Sequence, residues 1–530
     1  MKRNRRWVRS LLAVTAAGVL AGSAGVAQAA TGDGSGAVVR TDSGPVRGTV
    51  APEYRTFQKV PFAAPPTGEL RWRSPQPSRP WSEPRDATKP SSPCAQAYSG
   101  DPRPTDEDCL YLNVTTPRSA GHGRPKPVMV WLHGGGNSYG TAADFDAQRL
   151  ATRGDVVVVT TNYRQGVFGF LAHPGLAGSG AFGLEDQQAA LRWVRRNAAA
   201  FGGDPGNVTL FGESGGAFDV CAQLTAPGAR GLFHRAIAQS GSCATTWPAN
   251  GIVYGQPASS PWLSLARSEA NGVAFAGRFG CADPATAAAC LRRVPAAELA
   301  KDPETSGLTT VAFGTRVLPE NPPDALRQGR FHRVPVMWGT TRDEGRLSAA
   351  YSPQPFTEEQ YQRMLGEAFG EQASRVAARY PSSAYGSPAL AWSAVATNRV
   401  WSCPQLTDDR LLAGRTPVYT YEFADRNAPQ GYFRFPPDLP SGAFHFSEVP
   451  YLFDVVGFAA KFTPEQQRLA DRMIGYWTRF AATGDPNGRD LPKWSPFRNS
   501  NAQSLAPGDG GIRPVDLAAE HDCGFWATLR

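Results

Sequence analysis

The chain alternates short, mostly apolar runs with longer stretches in which apolar residues recur at helical spacing. Short apolar runs are typical of strands that are buried on both faces of a sheet. They lie at residues 128–132, 156–160, 208–211, 334–338 and 418–423. Because helical stretches separate the runs, the pattern predicts an α/β fold with a large, mostly parallel central sheet and helices on both faces.

Several helices are also predicted from their spacing or from their first residues. Helical spacing occurs at residues 183–201, 266–279 and 284–300. Thr357 and Thr463 are each followed three residues later by a glutamine, Gln360 and Gln466, which predicts a capping box at the start of two further helices. The second of these helices is expected to end at Gly484.

The most informative stretch is Gly-Glu-Ser-Gly-Gly at residues 212–216. A predicted strand precedes it and a helical stretch follows from Phe218, and this order is that of a nucleophile elbow. Glycines on both sides of the serine let the strand and the helix converge without a side chain between them. We therefore predict that Ser214 is a nucleophile with helix N–H groups beside it. The alternative is a glycine-rich turn that contains an incidental serine.

A second glycine run, Gly134 to Gly136, follows the apolar run at 128–132 and is preceded by His133. Consecutive glycines leave their backbone N–H groups unshielded, so the loop can direct them at a substrate oxygen. Such a loop is the usual partner of a nucleophile elbow. A flexible turn is the alternative, and a phosphate-binding loop is disfavoured because no Lys-Ser or Lys-Thr pair follows.

A serine nucleophile requires a base, and the base requires an acid that orients it. In elbow folds the three groups follow the chain order serine, acid, histidine. The histidines considered after Ser214 are His234, His332, His445 and His521. His445 lies on a loop after a late strand, where the base is expected. His234 lies at a helix-to-strand junction, which is typical of a structural residue. His332 precedes a predicted strand and so lies at the wrong end of the sheet, and His521 is beside Cys523 at the C-terminus. Asp343 and Glu344 both follow an earlier strand, and position alone leaves open which is the acid.

The first 29 residues have the pattern of a secretory signal peptide. Five Lys and Arg residues precede an apolar stretch at 11–26, and Ala-Gln-Ala follows at 27–29. We predict cleavage after Ala29 and secretion. A membrane anchor is the alternative, and the short apolar stretch and the cleavage motif disfavour it. Arg5 and Arg6 would fit a twin-arginine signal, but the basic Arg9 favours the general export route.

Charge and hydropathy exclude two classes of partner. The formal net charge of +8 falls to +3 once the five positive charges of the signal are removed. No Lys/Arg cluster remains that would indicate nucleic-acid binding. No later stretch has 18 uninterrupted apolar residues, so we expect no membrane span in the mature protein.

The chain has no internal repeat and no long linker, and we expect one domain over residues 30–530. No pattern indicates an oligomeric state.

The chain has eight cysteines, and an even number in an exported chain indicates disulfides. They are Cys94, Cys109, Cys221, Cys243, Cys281, Cys290, Cys403 and Cys523. The sequence leaves their pairing open. No CxxC motif or His/Cys spacing is typical of a zinc site, so we expect no metal and no cofactor.

Two long segments resemble the signatures of one enzyme family. Residues 201–216 resemble the serine signature of the type B carboxylesterase/lipase family, the cholinesterase-like α/β-hydrolases that include bacterial p-nitrobenzyl esterases. Residues 107–114 resemble its second signature, although Thr115 stands where the family usually has a bulky apolar residue. Residues 162–171 and 484–488 are similar to further family segments, so the resemblance covers nearly the whole mature chain and implies an α/β-hydrolase fold.

The resemblance implies roles for particular residues. Ser214 would be the nucleophile, Glu344 the acid and His445 the base, with the pKa of the base near ~6–7. Asp343 would then pair with an arginine such as Arg342 or accept backbone hydrogen bonds.

The resemblance also implies the parts around the nucleophile. The oxyanion N–H groups would come from Gly135, Gly136 and Gly215, the last being alanine in most of the family. Trp247 would form a wall of the acyl pocket, with a plain core role as the alternative. The implied disulfides are Cys94–Cys109, Cys281–Cys290 and Cys403–Cys523, and the two cysteines left over would form a fourth, Cys221–Cys243.

Departures from the family narrow the substrate. The segment between Cys94 and Cys109 has no tryptophan for choline stacking, with Tyr98 as its one aromatic residue, and it is too short for a lipase lid. We therefore expect a carboxylesterase that acts on short- to medium-chain or aryl esters through an acyl-enzyme intermediate. The alternatives are a triacylglycerol lipase and a non-catalytic cholinesterase-like binding module. The presence of all three triad residues disfavours the binding module.

Overall fold

A computed structural model of the protein describes residues 37–97, 105–178 and 180–529. The predicted signal peptide at residues 1–29, its cleavage site after Ala29 and the side chain of Tyr98 lie outside the described residues. The described residues all belong to one compact unit.

The strands of the described residues are mostly short. In chain order they are β1 (Val38–Arg40), β2 (Pro45–Arg47), β3 (Thr49–Val50), β4 (Tyr54–Pro61), β5 (Arg85–Asp86), β6 (Tyr111–Pro117), β7 (Lys126–Leu132), β8 (Phe145–Asp146), β9 (Val157–Thr161), β10 (Gly203–Glu213), β11 (Arg235–Gln239), β12 (Trp262–Ser264), β13 (Val311–Phe313), β14 (Val336–Thr341), β15 (Val418–Phe423), β16 (Asp454–Val455), β17 (Asn501–Leu505) and β18 (Arg513–Asp516).

The helices lie between and around these strands. In chain order they are α1 (Gln148–Gly154), α2 (Gly166–Phe170), α3 (Phe182–Asn197), α4 (Gly215–Thr225), α5 (Leu265–Arg278), α6 (Ala287–Arg292), α7 (Ala296–Lys301), α8 (Pro322–Arg327), α9 (Arg346–Ala350), α10 (Glu358–Phe369), α11 (Ala373–Arg379), α12 (Ser382–Tyr385), α13 (Pro388–Ala396), α14 (Cys403–Ala413), α15 (Pro464–Thr483), α16 (Leu517–Glu520) and α17 (Cys523–Ala527). A π-helical turn, Thr397–Ser402, joins α13 to α14.

Eleven of the described strands form one mixed sheet in the order β18-β17-β15-β14-β11-β10-β7-β9-β6-β4-β3. The pairings from β17 through β9 are parallel. The pairings at the two edges, β18 with β17 and β9 through β3, are antiparallel. The apolar runs recognised in the sequence all contribute to the parallel centre.

Side chains of β7 show how the sheet is covered on both faces. Val128 and Val130 pack into one core cluster with residues of α3, α4 and α14. Met129 and Trp131 pack into a second cluster with residues of α1 and α15. All four side chains are fully buried. Because successive residues of a strand point to opposite faces, a continuous apolar run is required where helices cover both faces.

The parallel centre also determines where the functional loops meet. Strands β7, β10, β14 and β15 have their carboxyl ends along the same side of the sheet, since Gly212 pairs with Leu132 and Thr341 pairs with Phe423. The glycine run follows β7, the Ser214 turn follows β10, the two acidic residues follow β14 and the His445 loop follows β15. Loops at the carboxyl ends of parallel strands are the usual location of a binding site in α/β folds.

One predicted helix is interrupted. The stretch at 284–300 forms two helices, α6 and α7, with Pro295 immediately before the second. Proline has no N–H to donate and disfavours helical angles in the residue before it, so the helix ends and restarts there. Thr463 forms the predicted capping box with Gln466. Thr357 caps its helix by accepting the Gln360 N–H, without the reciprocal bond of a capping box.

Candidate active site

Ser214 lies at the tight turn between β10 and α4. Its φ of 54° and ψ of −119° are angles that residues with side chains rarely adopt, and its N–H donates to the Gln239 carbonyl at 2.9 Å. A Cβ on Gly212 would lie 2.6 Å from the Gly216 carbonyl oxygen, and one on Gly216 would lie 2.1 Å from the Leu132 carbonyl oxygen. Both distances are too short for a side chain, so this turn requires glycine on both sides of the serine.

His445 lies on the loop after β15 and contacts Ser214 and Glu344 with its two ring nitrogens. Its Nε2 is 2.8 Å from Ser214 Oγ, and its Nδ1 is 2.5 Å from Glu344 Oε2. The other carboxylate oxygen of Glu344 accepts the Thr341 N–H at 2.8 Å. A carboxylate at Nδ1 keeps the proton on that nitrogen, which leaves Nε2 free to accept the serine proton. The arrangement can therefore activate the hydroxyl for attack on a carbonyl carbon.

Asp343, the other candidate acid, binds different groups. Its carboxylate accepts hydrogen bonds from the Arg426 guanidinium and from the Ala443 N–H, each at 3.0 Å. Arg342, the partner that we expected for Asp343, pairs instead with the buried carboxylate of Glu422 on β15, at 2.7 Å. The expected backbone contact is present, and it ties Asp343 to the loop that carries the histidine.

The glycine run is held in place by the residues next to it. His133 stacks on Tyr163 with ring centroids 4.6 Å apart, and the Tyr163 hydroxyl donates to the His133 carbonyl at 2.8 Å. Gly135 and Gly136 have φ values of 100° and 59°. Among the described residues, none accepts a hydrogen bond from the N–H groups of Gly135, Gly136 or Gly215. Three backbone donors near Ser214 are therefore available to a substrate oxygen.

Two buried carboxyl groups that the sequence analysis missed lie near His445. Glu213, the elbow residue before the serine, has Oε1 3.3 Å from His445 Nε2, and Glu448 lies one turn after the histidine. Burial raises the pKa of Glu213 well above its usual range and that of Glu448 to about 7. Burial lowers the pKa of His445, but the carboxylates, Glu344 foremost, outweigh it and raise that pKa to about 9. This lies above the value near ~6–7 that we expected.

A row of aromatic rings adjoins the histidine. Trp401, on the π-helical turn, has its ring centroid 4.6 Å from that of His445. Phe218 packs 6.3 Å from Trp401, and Trp247 packs edge-on to Phe218 at 5.7 Å. Trp247, the expected pocket wall, is thus connected to the histidine through two other rings. Trp401 is the aromatic residue in direct contact with it, and the sequence analysis missed it.

His234, His332 and His521 contact structural partners. The ring contacts are His234 with the Val208 N–H at 3.1 Å, His332 with the Ala226 carbonyl at 2.8 Å, and His521 with Asn398 at 2.7 Å and with Glu422. His521 is buried, and no described contact connects any of the three to Ser214.

All eight cysteines are joined in pairs, and the pairs are those that the resemblance implies. The disulfides are Cys94–Cys109, Cys221–Cys243, Cys281–Cys290 and Cys403–Cys523. The last pair connects the start of α14, next to the π-helical turn, to α17. Four disulfides are typical of a protein in an oxidising, extracellular environment.

The described residues show neither a metal site nor a membrane-spanning helix. Within them, no cluster of three or more His, Cys, Asp or Glu side chains has an arrangement suited to a metal ion. None of the helices in these ranges combines the length and the hydropathy needed to cross a lipid bilayer.

The missed residues differ in how visible they are in the sequence. Glu213 lies inside the serine signature, directly before the nucleophile, so its proximity could have been inferred from the elbow itself. Glu448 and Trp401 carry no such signal. They approach His445 from a later turn and from a separate helix, and chain position does not predict either contact.

Comparison with known proteins identifies the family of the chain. A model of the carboxylesterase family matches residues 35–526. Fumonisin B1 esterase of Sphingopyxis macrogoltabida is 33% identical over 529 residues, which cover 93% of this chain and 92% of the relative. Para-nitrobenzyl esterase of Bacillus subtilis is 33% identical over 493 residues, covering 88% and 94%.

A mammalian relative shows the same level of similarity. Acylcarnitine hydrolase of Mus musculus is 34% identical over 483 residues, which cover 85% of this chain and 82% of the relative. The mixed sheet with its helices agrees with the α/β-hydrolase fold that the family implies. The chain therefore belongs to the carboxylesterase family and is a carboxylic-ester hydrolase.

Proposed function

We propose that this protein hydrolyses short- to medium-chain or aryl esters through an acyl-enzyme formed on Ser214. The observation that carries the proposal is the chain of contacts from Ser214 through His445 to Glu344, at 2.8 and 2.5 Å. A hydroxyl, an imidazole and a carboxylate in this order form a nucleophile, its base and the acid that orients the base.

In the first half of the proposed reaction, Ser214 Oγ attacks the ester carbonyl carbon and His445 Nε2 takes the hydroxyl proton. The carboxylate of Glu344 stabilises the imidazolium that results. Collapse of the tetrahedral intermediate breaks the bond to the alcohol, which leaves with the proton from His445. In the second half, water attacks the acyl-enzyme with His445 as base again and releases the acid.

The oxygen of the tetrahedral intermediate carries negative charge and needs donors that are already in position. We assign this role to the N–H groups of Gly135, Gly136 and Gly215, which have no acceptor among the described residues. The Gly215 N–H also lies at the start of α4, where the helix dipole favours an anion. Preorganised donors of this kind commonly contribute 10²–10³-fold each to kcat.

The proposed substrate range rests on what surrounds the triad. Trp401, Phe218 and Trp247 form a row of packed aromatic rings that begins at His445, and we assign to this row the apolar wall for an acyl chain or an aryl group. Only 15 positions separate Cys94 from Cys109, which limits the size of any lid in that loop. The relatives named above are esterases of chemically different esters, which agrees with a general carboxylesterase.

The test compares wild-type protein with Ser214→Ala on p-nitrophenyl esters from acetate to dodecanoate. We expect Ser214→Ala to lower kcat by several powers of ten without a change in melting temperature, and to lose labelling by a fluorophosphonate. Ser119→Ala, at an exposed serine on the loop between β6 and β7, is the matched control and should retain full activity. Full activity of Ser214→Ala would refute the assignment.

The same assay separates the alternatives. A rate that is highest for acetate to octanoate esters supports the carboxylesterase. A rate that rises sharply above the solubility limit of a triacylglycerol would indicate a lipase instead. A wild-type protein that neither hydrolyses esters nor reacts with the fluorophosphonate would indicate a binding module.

We also propose that residues 1–29 are a signal peptide, cleaved after Ala29, and that residues 30–530 form one secreted hydrolase domain. The four disulfides of the described residues support export to an oxidising compartment. N-terminal sequencing of the protein from culture medium should begin at Ala30. A cell-associated protein that retains Met1 would contradict the proposal.

A further inference from the structure

Asn137, the residue after the glycine run, is held by hydrogen bonds in three directions. Its side-chain amide donates to Asp219 Oδ1 at 3.2 Å. Its side-chain oxygen accepts the longer branch, at 3.4 Å, of the Tyr163 hydroxyl bond whose shorter branch goes to the His133 carbonyl at 2.8 Å. Its backbone carbonyl accepts the Gly166 N–H at 2.6 Å. Its φ of 59° is in the left-handed region, which asparagine tolerates better than most residues. Asn137 therefore fixes the end of the glycine run.

Asp219 is the partner that connects this loop to the nucleophile's helix. It lies on α4, five residues after Ser214, and is fully buried. Its second oxygen accepts the Gln187 Nε2–H at 2.5 Å, and the Gln187 side-chain oxygen in turn accepts the Gln223 amide at 2.9 Å. Burial raises the pKa of Asp219 to about 7, while the hydrogen bonds from Gln187 and Asn137 oppose the rise. Each oxygen of the Asp219 carboxylate thus accepts one amide N–H, from Asn137 and from Gln187, so donors and acceptors match at this position.

The loop and the helix approach each other closely at Gly215. A Cβ built on Gly215 would lie 2.7 Å from the Gly136 nitrogen and 3.1 Å from the Asn137 nitrogen. Real Cβ atoms essentially never come within 3.0 Å of such an atom, so an alanine here would displace the loop, the helix or both. Most of the family has alanine at this position, and Gly215 therefore allows the glycine run to lie closer to α4.

We propose that Asn137 and Asp219 are positioning residues for the oxyanion N–H groups. Their hydrogen bond holds the glycine run against α4, so that the Gly136 and Gly215 N–H groups converge on one point beside Ser214. Gly215 is required for this approach, which makes it a determinant of geometry as well as a donor. The inference rests on the proposed function, because these N–H groups matter only if they bind the reacting oxygen.

Four variants test the proposal. Asn137→Ala removes the contact, and Asp219→Asn places two amide donors against each other. The double variant Asn137→Asp/Asp219→Asn restores complementarity, because the amide at 219 can then donate to the carboxylate at 137 and still accept from Gln187. Gly215→Ala retains the N–H group but forces the loop away. Asn113→Ala, at an asparagine on β6 that bonds Thr160 at 3.1 Å, is the matched control.

The readouts are kcat, KM and the inhibition constant of an aryl trifluoromethyl ketone, relative to that of the matching methyl ketone. The serine oxygen adds to the carbonyl carbon of the trifluoromethyl ketone and leaves its oxygen as an oxyanion, so this ratio reports on the donors. Asn137→Ala, Asp219→Asn and Gly215→Ala should each lower kcat about 10–100-fold and weaken the ratio in parallel, with KM within about threefold. The double variant should recover to within about fivefold of wild type.

The outcomes separate this inference from the proposed function. Suppose that Ser214→Ala inactivates the enzyme but each single variant keeps kcat and the inhibitor ratio within twofold of wild type. That result would overturn the positioning role and leave the proposed function intact. A stable double variant that recovers neither quantity would also overturn it. If Asp219→Asn fails to fold, Gly215→Ala decides, because full activity of that variant contradicts the required close approach. Asn113→Ala should leave both readouts unchanged.

Discussion

The indole ring of Trp401 covers the imidazole of His445, with centroids 4.6 Å apart and ring planes 37° apart. Trp401 is 6% exposed and lies on the π-helical turn Thr397–Ser402. Single π-helical turns within α-helices are frequent at functional sites, because they alter which side chains face inward. The imidazole is therefore restrained by a carboxylate at one edge and by an aromatic ring on one face.

We expect Trp401→Ala to reduce activity and broaden substrate size. Removing a buried indole leaves a cavity that costs about 3–5 kcal/mol of stability, and the unrestrained imidazole should lower kcat/KM for acetate esters about 10-fold or more. The space beside His445 should also shift the chain-length preference towards longer acyl groups. The p-nitrophenyl ester series and thermal unfolding measure both effects.

Trp392→Phe is a control for the loss of an indole elsewhere. Trp392 is fully buried in a separate core cluster and donates to Ser348. This variant should lower the melting temperature without moving the chain-length preference. An unchanged preference in Trp401→Ala would mean that the Trp401 ring does not border the acyl group.

The two adjacent carboxylates after β14 should respond differently to neutralisation. Glu344→Gln removes the charge that holds the His445 proton at Nδ1, so we expect kcat to fall roughly 10²–10⁴-fold with little change in melting temperature. Asp343→Asn loses acceptors for Arg426 and the Ala443 N–H, so it should cost mainly stability. Steady-state kinetics and thermal unfolding of both variants show which carboxylate is the acid. An inactive Asp343→Asn together with an active Glu344→Gln would assign that role to Asp343.

The pH dependence of kcat/KM should show an acid limb, in which activity is lost as His445 becomes protonated. His445 must be neutral to act as base, and buried carboxylates raise its pKa to about 9, so activity should fall as the pH drops through a midpoint above 6.5. The pKa of Glu448 is raised to about 7, so this group is ionised in the range where His445 titrates. Glu448→Gln should therefore move the midpoint to lower pH. Glu358→Gln, at an exposed position of α10, is the control and should leave the midpoint unchanged. A midpoint below 6.5 in the wild type would contradict the prediction.

Titration of the denatured, unreduced protein should detect no free thiol. Cys221 and Cys243 are fully buried and are joined across 22 positions, a loop for which chain entropy predicts a stabilisation of about 3 kcal/mol. Replacing both by alanine should lower the free energy of unfolding by about that amount while retaining the other three disulfides. Two reactive thiols in the denatured wild type would show that this pair is open.

Local pattern was enough to predict the scaffold and the tight turn at Ser214. The apolar run at 128–132 requires burial on both faces, and the spacing of glycines around Ser214 is compatible with few turns other than an elbow. The choice of His445 needed only the chain order of the elbow fold and a short series of histidines. These features are visible because strands, caps and tight turns depend on residues that are close together in the chain.

Contacts between distant segments were not visible in this way. Arg342 is adjacent to Asp343 in the chain, yet it pairs with Glu422 on the neighbouring strand, while Arg426 reaches Asp343 from the loop after β15. The Asn137–Asp219 bond spans 82 positions, and Trp401 reaches His445 from another helix.

The sequence by itself therefore determined which residue types and turns are present at the sheet edge, because local backbone requirements select them. Only the tertiary structure decided which neighbour meets which. Packing of the helices and loops on the sheet brings Glu344, Glu448 and Trp401 to the histidine. The carboxylates, Glu344 foremost, raise its pKa, and the Trp401 ring restrains its orientation. Those distances depend on the positions of several elements at once, which no local pattern records.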